Sequence, residues 1–127
     1  MSKKILVVDD DELVRQSLGR MLADKGFTVE QAKNGREGLQ KVIDGAPDLV
    51  IADVRMPEMD GIQMVGELRR DPKGKDVPVI ILSNDEQATS LNQALKAGVT
   101  VYLSKSNLDV DALTEQISTA LSPDDQK

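Results

Sequence analysis

This chain of 127 residues contains no cysteine and no histidine. The first absence excludes disulfides, thiol chemistry and cysteine-based zinc sites. The second removes the commonest general base and the usual nitrogen ligand. Any metal here is therefore bound by oxygen, which favours magnesium, calcium or manganese. Tryptophan is absent too, and Phe27 and Tyr102 are the only aromatics, so the core must be aliphatic. No stretch approaches the roughly 18 apolar residues of a membrane span, and Met1 to Lys4 lacks the apolar run of a signal peptide. Positive charge is in the minority, with 16 Lys and Arg against 22 Asp and Glu, a net charge of -6. A nucleic-acid surface needs a basic stripe to displace counterions, and this balance argues against one. With 39% hydrophobic and 30% charged residues, the chain reads as one globular domain of cytoplasmic type. That length buries roughly two-thirds of the surface exposed by the unfolded chain.

Short apolar runs alternate with helix-like segments five times, the pattern of βα units on a parallel sheet. The strand candidates are Ile5 to Val8, Thr28 to Ala32, Leu49 to Ala52, Val79 to Leu82 and Val101 to Leu103. Leu13, Val14, Ser17, Leu18, Met21 and Leu22 trace one face of a first helix, which Gly26 stops. Leu39, Val42 and Ile43 mark a second, ending near Gly45. Ile62, Val65 and Leu68 mark a third, introduced by Asp60-Gly61 and ended before Pro72. Ala88, Leu91, Ala94 and Leu95 mark a fourth, ending at Gly98, and Leu113, Ile117, Ala120 and Leu121 a fifth. Strands one, three and four are continuously apolar, so helices should cover both faces of the sheet. The second strand is more polar and suits an edge. Right-handed crossovers then favour a doubly wound α/β fold in strand order 2-1-3-4-5, with a crevice between strands one and three. Residues 1–121 form the domain, and Ser122 to Lys127 reads as a polar tail.

Chemistry-bearing residues stand where the apolar runs stop. The first run ends in Asp9-Asp10, the third in Asp53, the fourth in Ser83, and the fifth leads to Ser104-Lys105. Ligands of open parallel sheets bind outside the carboxyl ends of the strands. Three carboxylates, a hydroxyl and an ammonium should therefore converge there, and a divalent cation with an incoming phosphoryl group would reconcile them. Simpler roles compete for each. One of Asp9 to Glu12, best Asp11, should cap the first helix. Ser83 and Lys105 mean little in isolation, and Met56-Pro57 and Asp60-Gly61 suit loop and helix-start chemistry.

These pieces together resemble the receiver domain of two-component response regulators. The matching segments are Ile5 to Asp11 (ILVVDDD), Asp48 to Gly61 (DLVIADVRMPEMDG), Val79 to Ser83 (VIILS) and Tyr102 to Lys105 (YLSK), and the resemblance runs from Lys4 to about Leu121. It implies a flavodoxin-like (βα)5 fold and a stand-alone receiver that takes a phosphoryl group from a histidine kinase or phosphotransfer protein. Asp53 is implied as the phosphoacceptor, Asp10 as a direct magnesium ligand, and Asp9 as an acid acting partly through water. The backbone carbonyl of Arg55 would complete the protein ligands. Ser83 and Lys105 would bind the phosphoryl oxygens, and Tyr102 would rotate to report the state of Ser83. Such a protein is no conventional enzyme, because it catalyses its own phosphotransfer and dephosphorylation. A downstream protein would read the change on the surface of helix four, strand five and helix five, around Gln93, Lys96 and Tyr102. The protein would be a monomer or a weak homodimer through that face.

The chain departs from the family at three places. Ser106 follows the lysine where most receivers have proline with a cis peptide, a form that costs a non-proline residue about 2.5–4 kcal/mol. Asn84 follows Ser83 where a smaller residue is commoner, and is expected to narrow access to Asp53. Val99-Thr100-Val101 makes a more apolar edge than usual. Arg55 and Asp85, two residues after Asp53 and Ser83, are expected to form an ion pair across the site mouth that hinders the attacking water. Three rivals are weaker. An unphosphorylated scaffold should have lost an acid or the lysine. A magnesium-dependent phosphohydrolase using Asp9 and Asp11 would need a cap. A flavin carrier would need a phosphate cradle in place of the acidic first loop.

Overall fold

Strands and helices alternate as β1 (Lys4–Val8), α1 (Glu12–Asp24), β2 (Thr28–Ala32), α2 (Gly35–Gly45), β3 (Leu49–Ala52), α3 (Gly61–Arg69), β4 (Val79–Ser83), α4 (Ala88–Ala97), β5 (Val101–Ser104) and α5 (Val110–Leu121). This computed structural model describes residues 3–83, 88–105 and 109–121. The expectations for Asn84, Asp85, Ser106 and the tail 122–127 lie outside the described residues.

All pairings are parallel, in the order β2-β1-β3-β4-β5. Polar β2 is an edge, as its composition suggested. Side chains alternate along each strand, so every apolar run feeds two cores. On one face Ile5, Val7, Leu49, Ile51, Ile80 and Leu82 pack with Leu18 and Leu22 of α1 and Leu113 and Ile117 of α5. On the other, Leu6, Val8, Val50, Ala52, Val79 and Ile81 pack with Val42 of α2, Met64, Val65 and Leu68 of α3, and Ala94 of α4. Fully burying one such aliphatic side chain contributes about 1.5–3 kcal/mol, which is why the central strands are apolar through Ile5 to Val8, Leu49 to Ala52 and Val79 to Leu82.

Side-chain caps set the starts of α1, α2 and α3. Asp11 caps α1, accepting from the main-chain N–H groups of Leu13 and Val14. Asn34 caps α2, and Asp60 forms a reciprocal capping box with Gln63 at the start of α3. Gly26, at φ 97°, turns the chain from α1 into β2, a conformation glycine adopts without steric cost.

Two residues of α1 depart from their expected place, Leu13 and the exposed Ser17. Leu13 is 75% exposed, whereas Leu18 and Leu22 are buried. At 3.6 residues per turn Leu13 points about 140° away from Leu18, so it lies outside the stripe that Val14, Leu18 and Leu22 press onto the sheet. A second detail is absent from the apolar pattern. The Thr100 hydroxyl accepts from the Val79 N–H at 3.0 Å, while the Thr100 N–H donates to the Val79 carbonyl at 2.9 Å. This double link aligns the start of β5 with β4.

Candidate functional site

The carboxyl ends of the strands bring the acids together through main-chain pairing. Val8 is level with Ala32 on one side and Ala52 on the other. The ladder continues one residue further, with the Asp9 N–H donating to the Ala32 carbonyl at 3.1 Å and the Asp53 N–H to the Val8 carbonyl at 3.0 Å. Backbone hydrogen bonds thus place Asp9 and Asp53 at adjacent strand ends before any side chain acts. Ser83 and Ser104 are level across β4 and β5, which puts Lys105 just past the same rim.

Lys105 Nζ lies 2.9 Å from Asp9 Oδ2 and 3.2 Å from Asp53 Oδ2. Its side chain is 15% exposed, against 3% for Asp9 and 14% for Asp53. Asp9 Oδ1 accepts from the Asp11 N–H at 2.9 Å, and Asp53 Oδ1 from the Val54 N–H at 2.7 Å. Asp10 is exposed, yet one carboxylate oxygen each from Asp9, Asp10 and Asp53 lie within 4.8 Å of one another. Such hard oxygen donors fit a magnesium-sized cation, which takes one or two carboxylates and keeps water on its remaining positions.

One ammonium is shared between two carboxylates, and the charges reflect it. Burial raises the Asp53 pKa above the ordinary value, and the Asp9 charge adds to this; Lys105 and the Val54 N–H pull the other way without cancelling it. Burial also works against the Lys105 ammonium. The hydrogen bond to Asp9 and the charges of Asp53 and Asp9 outweigh that cost and hold the lysine above its ordinary value. The two directions are compatible, because after one pairing an excess negative charge remains for a cation to neutralise.

The loop after Asp53 is closed tightly. The Gly61 N–H donates to the Val54 carbonyl at 2.8 Å, and a Cβ on Gly61 would stand 2.1 Å from the Asp53 carbonyl oxygen. Only glycine permits that approach. Asp60-Gly61 therefore holds the Met56 to Met59 loop beside the acids as well as starting α3. Arg55 is exposed in this loop. Ser83 is 1% exposed at the end of β4, and Tyr102 is half-buried against the core beside α2, α3 and α4.

One contact had no signature in the sequence. Arg15, in the first turn of α1, donates through Nη1 to the Asp9 main-chain carbonyl at 2.8 Å and through Nε to Gln31 Oε1 at 3.1 Å. An arginine on a helix next to a run of acids is ordinarily a solvated surface charge, and nothing in its spacing marks it as a support of the strand end.

Residues 5–118 match the response regulator receiver domain family. The chain belongs to that family. It is 41% identical over 105 residues to the response regulator MprA of Mycolicibacterium vanbaalenii, covering 83% of this chain and 45% of that protein. It thus spans less than half the length of that relative. A 14.6 kDa protein of Leptolyngbya boryana is 39% identical over 122 residues, covering 94% of this chain and 93% of its own. Among solved structures, chemotaxis protein CheY4 of Vibrio cholerae superposes with a TM-score of 0.88 at 30% identity, covering 95% of this chain and 100% of that one.

Proposed function

We propose that the protein is a phosphoacceptor whose Asp53 takes a phosphoryl group from a phosphohistidine on a kinase or phosphotransfer protein. The observation that carries this reading is the arrangement of one lysine between Asp9 and Asp53, with Asp10 beside them and Ser83 on the neighbouring strand end. In the transfer, a carboxylate oxygen of Asp53 forms a bond to phosphorus as the phosphorus–nitrogen bond breaks. The electron pair returns to the imidazole, and the product is an acyl phosphate. In the later hydrolysis, water attacks phosphorus and the Asp53 carboxylate leaves, with inorganic phosphate as product.

Asp9, Asp10, Asp53 and the Arg55 carbonyl would hold magnesium, which supplies positive charge to the equatorial oxygens of the transferring group. Positioning and charge stabilisation are most of what a protein adds to this reaction. Asp9 and Asp10 orient that charge. Lys105 gives up its share of Asp53 and pairs with the phosphoryl oxygens, and Ser83 hydrogen-bonds them. Phosphorylation adds charge and acceptor oxygens, and movement of Ser83 and Lys105 toward these biases a two-state equilibrium. Tyr102 then changes its packing, and the surface of α4, β5 and α5 binds a downstream protein differently. Gln93 and Lys96 are exposed on α4, which supports a role in that readout.

The test is an intact mass after incubation with magnesium and a small-molecule phosphodonor, beside an Asp53→Asn variant. One added phosphoryl group, missing in the variant and in chelator, is the expected result. If no adduct forms and magnesium with beryllofluoride leaves thermal stability unchanged, where ligand linkage demands a rise, the domain is an unphosphorylated scaffold.

A further inference from the structure

We infer that Arg15 is a positioning residue for the acidic cluster. By holding the main-chain carbonyl of Asp9, it aims the carboxylates of Asp9 and Asp10 and thereby sets the affinity for the cation. The inference rests on the magnesium reading above.

The geometry is specific. Arg15 lies within a few residues of Asp9, Asp10, Asp11 and Glu12, yet among the described residues it forms no ion pair with any of them. Its guanidinium instead donates to a backbone carbonyl and a side-chain amide, at 2.8 and 3.1 Å. A peptide unit is planar, so fixing the Asp9 oxygen fixes the Asp10 nitrogen and the placement of the Asp10 Cα from which its side chain starts. Arg15 thus acts on the one peptide that joins the two metal-facing acids of the first loop. The remaining polar groups of Asp9 are tied elsewhere, its N–H to Ala32, Oδ1 to the Asp11 N–H and Oδ2 to Lys105. If magnesium draws Oδ2 away from Lys105, the carbonyl anchor keeps the turn in place.

Gln31 is the buttress of this arrangement. Its main-chain carbonyl accepts from Lys41 Nζ. Its side chain lies over α1 at Gly19, where an added Cβ would stand 3.3 Å from Nε2. The planar guanidinium loses little freedom in making both bonds from two separate nitrogens, whereas a lysine would offer a single flexible nitrogen without that fork.

Charge and positioning predict opposite effects, which makes the role decidable. Removing a cation near three carboxylates would, by Coulomb attraction alone, tighten magnesium binding. Losing the anchor should weaken it, as loss of outer supports of metal ligands does, by about 10-fold or more. Magnesium titration of the whole chain, followed by calorimetry, should show about 10-fold weaker binding in Arg15→Ala. Arg15→Lys, which keeps the charge, should recover little of it. In chelator, amide exchange at Asp11, whose N–H rests on Asp9 Oδ1, should be faster in Arg15→Ala than in wild type. Should Arg15→Ala not fold, Gln31→Ala removes the buttress from an exposed position and must weaken magnesium binding in the same direction. Equal or tighter magnesium binding in a folded Arg15→Ala, with Asp11 exchange unchanged, overturns the inference. Wild-type binding abolished by Asp10→Asn establishes the background for that comparison. Absence of binding by the wild type overturns the magnesium reading instead, and Asp11 exchange then decides the anchoring role alone.

Discussion

Lys105 Nζ rests 2.9 Å from Asp9 Oδ2, closing a gap of 96 positions in sequence and bridging the far end of the sheet to its centre. The same ammonium reaches Asp53 at 3.2 Å, so both acids depend on it whenever no other cation is present. Neither carboxylate belongs wholly to the lysine, and a divalent cation competes for both.

Lys105→Ala should make stability more dependent on magnesium than in the wild type. In chelator, two carboxylates lose a charge-assisted hydrogen bond, a loss of about 1.5–3 kcal/mol. Excess magnesium should restore most of it, because the cation neutralises the pair and no longer competes with the ammonium. Urea unfolding with and without magnesium measures both, and an equal magnesium increment in the two proteins would contradict the competition.

Asp53→Asn should stabilise the protein at neutral pH and not at acid pH. A carboxyl whose pKa is raised by folding binds its proton more tightly in the native state. Its contribution is fully present below the unfolded value near 3.8 and is lost as pH rises through the raised folded value. Asparagine escapes that loss. Thermal melts in chelator should show a higher melting temperature for the variant at pH 7, with the gain disappearing below about pH 4. A pH-independent difference would mean that burial of the charge is not the cause.

Gly61→Ala should damage both fold and site. Its Cβ would meet the Asp53 carbonyl oxygen at 2.1 Å, so backbone must move, at a cost of about 1–3 kcal/mol. The displaced strand end should also slow phosphoryl uptake at Asp53. Circular dichroism melts and the rate of mass gain with a phosphodonor separate the two effects. Wild-type values for both would show that the loop can open freely.

Arg55→Ala and Asp85→Ala should each shorten the lifetime of the phosphorylated form several-fold, if the two charges screen the acyl phosphate from water. Exposed pairs contribute only about 0–1 kcal/mol, so the melting temperatures should barely change. Half-lives followed by intact mass would refute the screening if both variants matched the wild type.

Much of this architecture follows from residue pattern alone. The continuous runs Ile5 to Val8, Leu49 to Ala52 and Val79 to Leu82 can be buried only between two helical layers. The helical crossovers between them make the pairing parallel, and polar Thr28 to Ala32 lies at an edge. Because polar side chains interrupt these runs at the carboxyl ends of the strands, where open parallel sheets bind ligands, Asp9, Asp10, Asp53, Ser83 and Lys105 are legible as a candidate site. The cap at Asp11 was legible for the same local reason. What periodicity could not resolve was which side chains of α1 face the sheet. Leu13 is apolar but points about 140° from Leu18, and only the docking of the helix decides which of them is covered.

Tertiary structure alone decided the finer arrangement. The division of one ammonium between Asp9 and Asp53, the closeness of Gly61 to the Asp53 carbonyl, the Thr100 link to Val79 and the Arg15 hold on Asp9 all join residues on different elements. Hydrophobic pattern reports whether a position meets water, which is a property of one element and its period. Hydrogen bonds and charge sharing depend on ångström-scale distances between elements, and those exist only once the sheet has set its register and the helices have settled on it.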